Sequence, residues 1–226
     1  SFPMGGKNMV RVGLIASVGL EDYSTRQVLP HEFTQAPAIQ DRVWLMESLS
    51  ANISPIMSIY RDAEGELDRL YQQVMQGTPE FDSTDDSGSV TALWRVSDSG
   101  VQSQISEFFS IRPIYLADGH HRYEAARQYQ LDRHAEDPRA KAANLAHNFV
   151  MMNLISFDDP GLVVLGYHRT LNGVPADKLA NIKAKLDELF DMEAISGSSD
   201  SLIEQVDRLG AKRRVLASVD NAGAKM

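Results

Sequence analysis

Residues 114–126, Ile-Tyr-Leu-Ala-Asp-Gly-His-His-Arg-Tyr-Glu-Ala-Ala, restrict the fold of this chain more than any other stretch. An apolar run ends in Asp118-Gly119 and passes at once into a helix-forming segment, which predicts a strand, a tight glycine turn and a helix N-terminus. Such a junction presents unpaired backbone N–H groups and the positive end of the helix dipole, and phosphate is its usual occupant. Arg122 adds a fixed charge, and His120 and His121 add groups that titrate near neutrality. Adjacent helical residues point about 100° apart. The two histidines are therefore expected to divide their work, one facing the anion and the other orienting Asp118 or packing inward.

The rest of the chain reads as a mixture of strands and helices. Strands are predicted over 9–18, 53–60 and 90–96, with a short extended piece at 27–32. Helices are predicted over 36–51, 64–76 and 101–109, the first with Pro37 in its opening turn. The acidic segment 79–89 reads as a solvated loop or a short edge strand. After the Asp-Gly-His-His-Arg strand, 122–136 is helical. A second helix is expected to follow, with Asp137 as N-cap and Pro138 in its first position. Residues 148–156 and 162–165 read as two strands of a hairpin turned by Asp158-Asp-Pro-Gly161. Residues 176–190 and 201–209 are helical, and a last strand begins near Arg213. The irregular alternation favours an α+β fold, a mixed sheet with flanking helices, over a regularly wound parallel sheet.

Composition removes several function classes. The net charge is -9, with a pI near 5.1, so no broad basic face exists to neutralise a nucleic-acid backbone, and nucleic-acid binding is disfavoured. The chain has no cysteine, which rules out disulfides, thiolate metal sites and cysteine nucleophiles. No apolar run approaches the ~20 residues of a membrane helix, and no signal-peptide pattern is present. A cytoplasmic setting is expected, without a membrane partner. Strands set close to both ends predict that the chain is a piece of a longer polypeptide.

The run Tyr115-Leu-Ala-Asp-Gly-His-His-Arg-Tyr-Glu-Ala-Ala resembles the signature of the domain of unknown function 1015 family. Asp22-Tyr, His31-Glu32-Phe-Thr, Asp41-Arg42, Leu93-Trp94, Phe149-Val-Met-Met, Asp159-Pro-Gly-Leu and His168-Arg169 agree with it in order, so the resemblance spans about 9–220. Relatives usually carry a further N-terminal region and a proline where Gly166 stands. That family is in turn similar to the ParB and sulfiredoxin group, in which a glycine-containing, arginine-ended loop before a helix cradles nucleotide phosphates. One branch of that group phosphorylates free serine. The resemblance implies a ParB/sulfiredoxin-like strand–loop–helix phosphate-binding unit over 9–136, with 137–226 an α+β C-terminal region of the same compact unit.

Together these readings predict a nucleotide-binding protein that transfers a phosphoryl group to a small hydroxyl-bearing metabolite. Asp118, Gly119, His120, His121 and Arg122 would bind the phosphates, with Arg42 as a second contact and ATP or ADP with Mg2+ as the ligand. Glu32 would take the acceptor's proton, with His31 and His120 beside it. A non-catalytic nucleotide-binding module is the alternative, and a ParB-like DNA-associated protein a weaker one. Asp41-Arg42 also reads as a simple ion pair, and His168-Arg169 as either cleft-lining or strand-end residues. No resident metal site is expected, since no His-Glu-x-x-His or calcium-loop spacing occurs. Trp44, Trp94 and the methionines read as core, and His134 and His147 as surface or packing residues.

Overall fold

A computed structural model describes residues 1–165, 170–210, 215, 217–220 and 223–225. The chain divides into two compact units, Ser1–Leu165 and Gly166–Met226. The first opens with a small antiparallel pair, β1 (Phe2–Met4) and β2 (Lys7–Met9). There follow β3 (Leu14–Gly19), β4 (Val28–Leu29), α1 (Ala36–Leu49), β5 (Ile56–Tyr60) and α2 (Glu66–Met75). An exposed ribbon of β6 (Phe81–Thr84) and β7 (Val90–Leu93) precedes α3 (Ser99–Ser110), β8 (Ile114–Asp118), α4 (His120–Glu136) and β9 (Phe149–Ser156). The second unit contains α5 (Ala176–Leu189), β10 (Ala194–Ile195), α6 (Ser199–Gly210), β11 (Ser218–Asp220) and β12 (Gly223–Lys225). Its three strands pair antiparallel in the order β10-β12-β11.

The α+β expectation holds. The main sheet has five strands in the order β3-β9-β5-β8-β4, with antiparallel and parallel neighbours alternating across it. Side chains alternate between the faces of a strand. Ile56, Ser58 and Tyr60 of β5, Ile114 and Leu116 of β8, and Met152 and Leu154 of β9 are buried. All but Ser58 form one apolar core with Leu67 and Tyr71 of α2, Phe108 of α3 and Tyr123 and Ala126 of α4. Met57, Ile59 and Tyr115 fall at alternate positions of the same strands and are half-buried.

Two buried polar devices hold the helices to this sheet. The Asp62 carboxylate is only 7% exposed and accepts from the backbone N–H groups of Glu66, Leu67 and Asp68 at 2.8, 2.9 and 3.3 Å, capping α2. Tyr123, fully buried, donates its hydroxyl to the Glu21 carbonyl at 2.8 Å and accepts from the Glu21 N–H at 2.9 Å. Burial pushes the Tyr123 phenol up to about 12. Tyr123→Phe is expected to cost about 1.5 kcal/mol, because it strips a partner from both backbone groups of Glu21. Urea unfolding of the variant beside the parent protein reads this directly.

Several sequence expectations are corrected. Residues 162–165 form no strand, so no hairpin follows β9. Asp159 accepts instead from Val12 N–H at 2.9 Å and from Gly161 N–H at 2.7 Å, turning the chain against the lead-in to β3. A Cβ on Gly161 would stand 2.3 Å from the Val10 carbonyl oxygen, so the close approach needs glycine. The helix expected after Asp137 is only a 3-10 turn, Pro138–Lys141, although Asp137 does cap it by accepting from Arg139 N–H. The 90–96 strand is shorter and lies in the exposed ribbon, where the acidic 79–89 segment supplies its partner. Trp44 is 61% exposed on α1 and not core, while half-buried Trp94 donates to the Gly77 carbonyl. β9 follows residue 136 in sequence yet sits between β3 and β5. Among the described residues, no helix is long and apolar enough to cross a membrane. His168 and Arg169 lie outside the described residues.

Candidate functional site

The strand–turn–helix unit forms as expected. Strand β8 ends at Asp118, Gly119 takes a left-handed conformation with φ of +98°, and α4 starts at His120. Register against β5 slips here: Met57 faces Asp118 while Ser58 faces Leu116, so Ala117 is an extra residue. Bulges of this kind re-aim the end of a strand. No side chain caps the start of α4. Its first N–H groups thus have no side-chain partner, and the opening turn of a helix has no internal partners for them.

Arg122 folds back over this turn. A Cβ on Gly119 would lie 2.8–3.0 Å from its guanidinium. The guanidinium donates to Asp118 at 2.9 Å, to the Ser54 hydroxyl at 2.7 Å and to the Pro55 carbonyl at 2.8 Å. It is held on several sides, so its charge is fixed above the helix start. Ser54 and Pro55 carry no sequence signal for this role, because they lie far along the chain, just before β5.

His31 and Glu32 reach the same place through β4. That strand pairs in parallel with β8, Leu29 opposite Tyr115. Pro30 has no N–H to extend the ladder. The His31 ring continues it, with Nδ1 2.8 Å from the Leu116 carbonyl oxygen. A carbonyl only accepts, so His31 Nδ1 carries the proton and Nε2 holds the free lone pair. The His31 backbone N–H in turn donates to His120 Nε2 at 3.2 Å, which leaves the His120 proton on Nδ1. His120 Nδ1 faces Glu32 Oε2 at 3.7 Å, too far for a hydrogen bond. The two imidazoles meet edge to face with centroids 4.4 Å apart.

His120 is 2% exposed, and its burial, followed by the neighbouring His31, holds its pKa below the usual histidine range against the opposing pull of Glu32 and Asp118. Burial therefore keeps it neutral near pH 7. His121 points elsewhere and accepts from the Gln35 N–H at 3.2 Å, at the start of α1. His120 thus packs inward, one of the two roles expected of the pair, while His121 reaches across to the start of α1. The Arg42 guanidinium pairs with Asp41 at 3.4 Å, the simple ion pair that was the other reading. His134 and His147 are structural, bonded to Asn148 Oδ1 and the Ala140 carbonyl, both at 2.7 Å. Phe33, beside Glu32, is 100% exposed.

One nitrogen of His31, one of His120 and an oxygen of Glu32 all lie within 4.8 Å of one another. No spacing motif announces this cluster, because 89 residues separate His31 from His120 and only the pairing of β4 with β8 joins them.

The fold and this loop define an α+β protein built around a strand–glycine–helix junction. A family model described as a protein of unknown function, DUF1015, matches residues 1–221, and the chain belongs to that family. No curated protein and no solved structure matches it.

Proposed function

We propose that the N-terminus of α4 binds the phosphates of a nucleoside di- or triphosphate, and that the protein passes a phosphoryl group to a small hydroxyl-bearing acceptor. One observation carries the reading: an uncapped helix start, with a guanidinium fixed above its glycine turn, lies beside a carboxylate–imidazole pair. The open N–H groups and Arg122 would neutralise phosphate oxygens. Glu32 would take the proton as the acceptor oxygen bonds to phosphorus and the bond to the leaving diphosphate breaks. Asp118 is the carboxylate available to a magnesium ion arriving with the nucleotide. The ParB/sulfiredoxin likeness of the loop belongs to this reading and rests on the Asp-Gly-His-His-Arg sequence.

Isothermal titration with ATP, ADP and CTP, with and without magnesium, tests the binding step. Saturable binding weakened about tenfold or more in Arg122→Ala is expected, as for the loss of a charged hydrogen bond. No binding by the folded parent protein overturns the reading. Glu32→Gln decides between enzyme and regulatory module. It should retain nucleotide affinity and lose acceptor phosphorylation in an enzyme, and change neither in a module.

A further inference from the structure

We propose that His31, Glu32 and His120 form a three-ligand site for a divalent transition-metal ion such as zinc or cobalt. The three side chains already converge within 4.8 Å of one another. Ligands about 2.0–2.2 Å from a tetrahedral ion stand about 3.4 Å apart, close to the 3.7 Å between His120 Nδ1 and Glu32 Oε2. That gap is too wide for a hydrogen bond and matches the space a shared ion would span. The Glu32 side chain is 57% exposed and free to swing the remaining distance.

Orientation of the His31 ring strengthens the assignment. Imidazole ligands characteristically donate their second nitrogen to a carbonyl or carboxylate, which fixes ring and tautomer. His31 does this through Nδ1 to the Leu116 carbonyl, leaving Nε2 as its ligand atom. His120 departs from this pattern: its Nε2 accepts from the His31 N–H and its proton is on Nδ1, so coordination through Nδ1 requires the proton to move to Nε2 and that contact to give way. Two imidazoles with one carboxylate select zinc, iron, cobalt or nickel over magnesium or calcium, which prefer oxygen throughout. Three protein ligands leave positions open, the pattern of a site that binds a further molecule. An ion there would act as a Lewis acid beside the α4 N-terminus. The assignment does not rest on phosphate binding and needs no anion at the loop.

The test titrates the chelator-treated full chain with Co2+, followed by visible absorption, with Zn2+ as competitor. Glu32→Gln and His31→Ala alter exposed residues, and circular dichroism checks that both variants fold. One equivalent of cobalt should bind and be displaced by zinc, with affinity at least about tenfold weaker in each variant. A His134→Ala/His147→Ala double variant should bind as the parent does. Arg122→Ala should also keep the metal, so failure of nucleotide binding and failure of metal binding read out separately. No cobalt binding by the folded parent, or a loss below tenfold in both ligand variants, overturns the site.

Discussion

Asp62→Ala should unfold the N-terminal unit at markedly lower urea concentration, costing about 3 kcal/mol. An ordinary exposed N-cap contributes about 1 kcal/mol. Asp62 is buried and serves three N–H groups of the first turn of α2, two of them at 2.8 and 2.9 Å. Its removal leaves those donors, the Leu67 N–H buried and the other two part-buried, without a partner, and an orphaned buried donor costs more than the net value of its bond. Leu67 and Tyr71 of the same helix carry part of the core, so loosening the start of α2 also weakens packing against Tyr60 and Phe108. Asp62→Asn keeps one acceptor oxygen and should lose about half as much. Equal losses in the two variants would show that charge against the helix dipole, and not the number of accepted bonds, governs the cap.

Gly119→Ala should lower the melting temperature by about 4–8 °C, the equivalent of about 2 kcal/mol, and reduce the nucleotide binding proposed above along with it. Two costs act together. A φ of +98° is disfavoured for any residue with a Cβ. The new methyl group would also stand 2.8 Å from Arg122 Nη2, forcing the guanidinium off its Asp118, Ser54 and Pro55 partners. A double-mutant cycle with Arg122→Ala separates them. If the contact matters, Gly119→Ala will cost less in the Arg122→Ala background, and the residual cost belongs to the backbone. Calorimetry measures both quantities, and an unchanged melting temperature would mean that the turn adopts another conformation.

Much of this architecture was legible locally. The β8–Gly119–α4 junction followed from an apolar run, an Asp-Gly pair and a helix-forming segment, all within thirteen residues. Helices α1, α2, α3, α5 and α6 followed from apolar spacing and breakers such as Gly77, because helix formation depends mainly on neighbours one turn away. The misreadings have a common cause. Leu162–Leu165 is apolar enough for a strand, but the Asp159 bonds to Val12 and Gly161 turn the chain elsewhere. Trp44 is hydrophobic enough for a core, but the buried side of α1 falls at Val43.

By itself the sequence determined the family, the α+β class and the glycine turn that opens the start of α4, since each is written in contiguous residues. Only the tertiary structure decided what surrounds that turn. It joined His31 and Glu32 to His120, tied Arg122 to Ser54 and Pro55, and sent His121 to Gln35. These contacts depend on the pairing of β4 and β5 with β8. That pairing is set by which apolar faces bury together across the core, a property of distant segments that no local spacing encodes.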